Sequence, residues 1–83
     1  MAWVYILYSE SLSRFYIGST EQTPEERLKK HLTNHSGFTA KAKDWVIVFW
    51  EELETISEAR NREMKIKKWK SQVMIESLIK KSK

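Results

Sequence analysis

Six consecutive residues, Trp3-Val4-Tyr5-Ile6-Leu7-Tyr8, are apolar or aromatic at every position. Side chains alternate between the two faces of a strand, so a run without alternation needs cover on both sides. The segment therefore predicts a central strand, rich as it is in β-branched and aromatic residues. A bilayer needs about 20 apolar residues, and neither this run nor Trp45 to Trp50 approaches that, so membrane spanning is excluded. No basic stretch precedes the run and no small-residue cleavage pattern follows it, which argues against a secretory signal. The 83 residues contain no cysteine, so disulfide staples and thiolate zinc sites are absent and apolar burial must supply most of the stability. A reducing, cytoplasmic setting and one domain over residues 1–83 are expected. The apolar supply is adequate, at 41% hydrophobic residues with four tryptophans, and Trp50 and Trp69 are read as core rather than as an interface.

Phe15 to Thr20 reads as a second strand, joined to the first by the polar stretch Ser9-Glu10-Ser11-Leu12-Ser13 as an antiparallel hairpin. Thr23-Pro24-Glu25-Glu26 predicts a helix start: Thr23 caps, Pro24 suits the first helical position, and Glu26 completes a capping box. This helix is expected to reach about Asn34, with Leu28 and Leu32 as its core stripe and Gly37 as its stop signal. Trp45 to Glu52 is the third strand. A second helix is predicted from Thr55 or Ser57 to Lys70, with Thr55 and Glu58 as another capping box. Ser71 divides off a third, carrying Met74, Ile75, Leu78 and Ile79. The order strand, strand, helix, strand, helix, helix defines an α+β fold, expected to have helices over one sheet face.

The net charge of +4 is unevenly placed: residues 60–83 hold nine Lys or Arg and two Glu, leaving −3 for the rest. Such a patch attracts a polyanion through salt-dependent counterion release, although a merely solvated helix face would look the same. Within it, Glu63 is anomalous. At about 100° per residue, Ile56, Ala59, Glu63, Ile66 and Val73 share one side, so a carboxylate interrupts the apolar stripe and is expected to point inward. Burying it alone is costly, so it must be paired with Arg60, Arg62 or Lys67, or bind a cation. From the helix alone the ion pair is the plainer reading.

Tyr5 and Tyr16 share a sheet face if the hairpin register sets them opposite each other, with Gly18 leaving a notch on the same face. Ordinary strand tyrosines and a bulge glycine are the plain alternative. Arg27 and His31, spaced i, i+4, reach one spot on the first helix. Alone they are a surface arginine and a satisfied boundary histidine. Combined, two phenols, a guanidinium, an imidazole and an inward acid suit phosphodiester hydrolysis, which must deprotonate water and stabilise charge at phosphorus. A phenol of pKa about 10 needs roughly 4 kcal/mol of differential interaction to fall three units. Arg27, a divalent ion and the basic field are the expected sources.

These residues resemble the GIY-YIG nuclease superfamily over Trp3 to about Lys70. Val4-Tyr5-Ile6 stands at the first motif, Tyr16-Ile17-Gly18 is a full second motif, and Arg27, His31 and Glu63 follow in order. The short form, with Arg-Asn-Arg-Glu-Met-Lys-Ile-Lys-Lys-Trp-Lys near its end, is similar to the small stand-alone bacterial branch related to an excinuclease N-terminal domain. The resemblance implies a three-stranded antiparallel sheet flanked by three helices, and DNA cleavage with one Mg2+ or Mn2+ ion. It implies Tyr5 as general base, His31 as its partner, Tyr16 at the phosphate or a metal-bound water, Arg27 at the transition state and Glu63 as sole metal ligand. Gly18, Ser19, Thr39, Arg62, Lys65, Lys67 and Lys68 are the expected nucleic-acid contacts. Val4 replaces the motif's first glycine, Ser19 stands where some members carry lysine, and no asparagine follows Glu63 to match the one some members use.

The expected activity is a metal-dependent endonuclease, weakly sequence-specific or structure-selective, acting on single-stranded or branched DNA in repair or recombination. The alternatives are a non-catalytic nucleic-acid-binding module of the same fold and a scaffold that docks an acidic protein through Lys65 to Lys70. The hydrolytic reading requires Glu63 and the two phenols on the same side of the sheet, around one hollow.

Overall fold

The computed structural model describes residues 1–33 and 37–81. Strands β1 (Ala2–Ser9), β2 (Arg14–Thr20) and β3 (Val46–Leu53) form one antiparallel sheet in the order β2-β1-β3. β1 is thus central, and Val4 to Leu7 are all at most 1% exposed, as an unalternating apolar run requires. Helix α1 (Pro24–Thr33) follows β2; α2 (Ile56–Trp69) and α3 (Gln72–Lys81) follow β3. Both capping threonines act as expected: Thr23 Oγ1 accepts from Glu26 N at 3.3 Å and Thr55 Oγ1 from Glu58 N at 3.1 Å. Among the described residues no helix is long and apolar enough to cross a membrane.

Helices cover both sheet faces, not one. Odd-numbered β1 residues face a cluster of Tyr5, Leu7, Ala42 and Trp45, against which Leu28 and Leu32 of α1 pack. Even-numbered residues face the second cluster, where Val4, Ile6, Ile17 and Phe49 meet Ile66 of α2 and Ile75 of α3. A β-bulge leaves Val48 without a partner between the pairs Ile6–Phe49 and Leu7–Ile47, so β3 is apolar on successive residues there.

Three expectations change in detail, and one lies outside the described residues. Val73 is 71% exposed and leaves the Glu63 stripe, because α2 ends at Trp69 with Lys70 in a left-handed cap (φ 49°) and α3 starts a new helical phase. Trp50 is 57% exposed on the outer strand, whereas Trp69 packs against the core. The expected α1 end near Asn34 lies outside the described residues. Gly37, with φ 85°, opens a short 3-10 helix (Phe38–Lys41) that apolar periodicity did not signal.

Candidate active site

The hairpin register decides how the phenols sit. β1 and β2 pair with Tyr5 opposite Gly18 and Leu7 opposite Tyr16, not Tyr5 opposite Tyr16. The phenols remain on one face, diagonally placed, with ring centroids 6.4 Å apart. Gly18 leaves no open notch, because the Tyr5 ring lies across it; a Cβ there would come within 2.5 Å of the Tyr5 hydroxyl. The missing side chain lets a tyrosine on the central strand extend its hydroxyl over the outer strand β2.

Helix α1 supplies the partners of that hydroxyl. Leu28 and Leu32 hold α1 on this face, and the next residues around the helix, Arg27 and His31, turn toward Tyr5. His31 is 6% exposed, deeper than a helix-flank residue would suggest. Its Nε2 lies 2.9 Å from Tyr5 Oη, its Nδ1 lies 3.0 Å from Thr39 Oγ1, and the edge of its ring meets Tyr16 at 4.8 Å between centroids. Thr39, expected at a phosphate, is instead 3% exposed in the 3-10 segment. Its carbonyl accepts the Trp45 indole N–H at 3.0 Å, which anchors it to the start of β3.

Burial raises the Tyr5 pKa above 10, and Tyr16 and Glu63 add smaller charge effects in the same direction. Arg27 opposes them as hydrogen-bond donor and as charge, but burial wins. Arg27, one of the three expected sources of a lowered pKa, does not by itself lower this phenol, because the apolar core that holds Tyr5 disfavours its anion. His31 is held below its usual 6.5, by burial first and by the Arg27 charge second, so the imidazole is neutral at pH 7. Arg27 Nε is itself buried and has no hydrogen-bond partner.

Glu63 lies in the other layer. Ile66, three residues further along α2, packs against Val4 and Ile6, so α2 covers the face opposite Tyr5. The requirement that Glu63 share a side of the sheet with the phenols is not met, so the hydrolytic reading in its single-face form falls; the requirement was too strict, because groups on opposite faces can reach one phosphodiester where they meet at the edge of an outer strand. The two halves meet instead at the edge of β2. Ser19 pairs with Val4 and so projects toward α2, where its hydroxyl donates to Glu63 Oε1 at 2.5 Å. The adjacent Gly18 lies beneath the Tyr5 ring. Glu63 and the phenolic hydroxyl thus flank two consecutive residues of an outer strand.

The inward acid is paired, as the helix predicted: Lys67 Nζ donates to Glu63 Oε2 at 2.5 Å, and the Glu63 side chain is 17% exposed. Arg62 is drawn off to Glu51 of β3 at 3.0 Å, while Lys65 and Lys68 are exposed. Among the described residues no three His, Cys, Asp or Glu gather, so a site built from several carboxylates is absent. A single carboxylate beside a hydroxyl oxygen, already holding an ammonium, fits a hard divalent ion that keeps most of its waters. Asp44 lay outside the sequence reading. It accepts from Ser9 Oγ at 2.6 Å and Ser11 N at 2.8 Å, which clamps the β1–β2 turn to the approach to β3. The Ser9 and Ser11 bonds lower its pKa below 3.8.

The site is thus an α+β sheet with a buried Tyr–His–Thr chain on one side and a cation-paired glutamate on the other, meeting at one strand edge. The family model described as GIY-YIG catalytic domain matches residues 1–77, and the chain belongs to that family. No curated protein and no solved structure matches it.

Proposed function

We propose that this chain is a single-domain, metal-dependent DNA endonuclease whose site straddles the edge of β2. The observation that carries the reading is the Tyr5 hydroxyl, extended over Gly18 with a neutral histidine behind it, while Glu63 of α2 is bound to Ser19, the next residue of the strand. A water attacking phosphorus must lose a proton. Tyr5 takes that proton while passing its own to His31 Nε2, so its raised pKa is no obstacle: no free phenolate forms. Arg27 meets the charge that builds on the non-bridging oxygens. Tyr16, edge-on to His31, supports a phosphate or its bound water. Glu63, with Ser19 beside it, would hold one Mg2+ or Mn2+, and Lys67 would give way to it. When bound, such an ion draws charge from the phosphate and eases departure of the leaving oxygen. The exposed Lys65 and Lys68 provide sequence-independent attraction for the DNA backbone. A single-stranded or branched substrate, a role in repair or recombination and a cytoplasmic location complete the proposal.

The test is nicking of single-stranded and branched DNA with magnesium, manganese or chelator, for the parent chain, Glu63→Ala and Tyr5→Phe. The parent is expected to cleave only with metal. Each variant is expected to lose about 100-fold or more while still binding DNA. Cleavage unchanged in both variants refutes the assigned site, and binding without cleavage by any protein identifies a non-catalytic module.

A further inference from the structure

Hydrogen-bond accounting around Tyr5 determines which nitrogen of His31 carries its proton. The Tyr5 hydroxyl, on a residue 1% exposed, has one hydrogen to give. His31 Nε2, 2.9 Å from the Tyr5 oxygen, can accept that hydrogen, whereas the guanidinium of Arg27, whose charge acts on Tyr5, has donors alone. Were Nε2 protonated, this 2.9 Å contact would use the Tyr5 oxygen as acceptor and turn its O–H away from its buried partner, and leaving that O–H unpaired costs about 1–3 kcal/mol. The Tyr5 proton therefore points at Nε2. A neutral imidazole with a bare Nε2 carries its hydrogen on Nδ1, and 3.0 Å from Nδ1 stands Thr39 Oγ1.

We infer that Thr39 is a positioning residue: it accepts the Nδ1–H of His31, fixes the tautomer whose Nε2 lone pair faces Tyr5, and holds the imidazole ready to receive the Tyr5 proton. Its own placement is independent of His31, because its carbonyl is tied to the indole of Trp45, which is 2% exposed. In the chain Tyr5, His31, Thr39 the phenol and the imidazole then donate in the same direction. A proton entering at Tyr5 has one destination. This assigns Thr39 a role inside the protein instead of at a phosphate, and it deepens the endonuclease reading, on which its catalytic meaning rests.

The experiment separates the two claims. Nitrogen-15 spectra of the His31 ring in the full chain at neutral pH report the tautomer without any substrate or metal. The parent is expected to show the Nδ1–H form, Thr39→Ser to keep it, and Thr39→Val to shift population to Nε2–H. Cleavage should fall about 10- to 100-fold in Thr39→Val and return in Thr39→Ser. An Nε2–H parent overturns the inference even if Thr39→Val fails to fold, and so does a folded Thr39→Val that keeps the Nδ1–H form. A parent in the Nδ1–H form that cleaves no DNA leaves the tautomer assignment standing and removes the endonuclease reading instead.

Discussion

Gly18→Ala should destabilise the protein although the backbone at this position accepts alanine. Gly18 has no positive φ, so the substitution by itself would restrict the unfolded chain and add about 0.4–1 kcal/mol of stability. Against this, the new Cβ would stand 2.5 Å from Tyr5 Oη and 2.6 Å from Cζ. The ring has little room to retreat: Tyr5 is 1% exposed and bonded to His31 at 2.9 Å. Overpacking of this kind costs about 1–3 kcal/mol, and displacing the hydroxyl from His31 about 1 kcal/mol more. The net loss is about 2 kcal/mol, against a total stability of about 4–12 kcal/mol for a chain of this length. With a urea m-value near 1 kcal/mol/M, the unfolding midpoint should drop by about 2 M, measured by far-UV circular dichroism. In a Tyr5→Leu background the same substitution should lose most of its penalty, giving a coupling of about 1 kcal/mol or more. A midpoint that is unchanged or higher in Gly18→Ala alone would refute the close approach and with it the extension of Tyr5 over the strand.

Two further outcomes follow from the charges at the site. The folded-state pKa of His31 lies below 6.5, so the unfolded chain binds this proton more readily. The stability linked to His31 is complete above about pH 6.5 and is lost as pH falls below it. Urea midpoints at pH 7.5 and 5.0 should therefore differ more in the parent than in His31→Gln, and an equal difference would contradict the buried neutral ring. Lys67→Gln removes the ammonium from Glu63 Oε2; because Lys67 is 53% exposed, stability should change by no more than about 0.5 kcal/mol. Mn2+ affinity, followed by electron paramagnetic resonance, should rise several-fold, and weaker binding would show that Lys67 supports the ion instead of standing in for it.

The local elements were legible because each has a local cause. Thr23 with Glu26 and Thr55 with Glu58 mark helix starts, and the runs at Trp3 and Trp45 read as strands because they are six residues long and rich in β-branched and aromatic side chains. The pairing of Tyr5 was not legible. Registers that set Tyr5 opposite Tyr16 or opposite Gly18 differ by two residues, which keeps every side chain on its face, so hydrophobic patterning cannot separate them. The observed register instead follows the turn, where Ser13 adopts φ 52° and its N–H bonds Glu10 O at 3.2 Å. Nor could the chain reveal that Glu63 and Tyr5 lie in different layers: β1 is apolar on both faces and states no preference for α1 or α2. Val73 was misplaced by carrying one helical phase through the break at Lys70 and Ser71. Thr39 carries no periodic signal, and its partners His31 and Trp45 come from two other segments.

The position of β1 in the middle of the sheet also shapes how the protein is made. Its hairpin with β2 closes over a short turn, but Ala2 finds its other neighbour only at Leu53. Residues 10–45 must be synthesised before the first residue of β3 exists. At about 5–20 residues per second, translation leaves that flank of β1 without its hydrogen-bonding partner for roughly 2–7 s. Until β3 pairs with it, that flank of β1 keeps a row of unpaired N–H and C=O groups, the kind of edge that templates pairing with another chain.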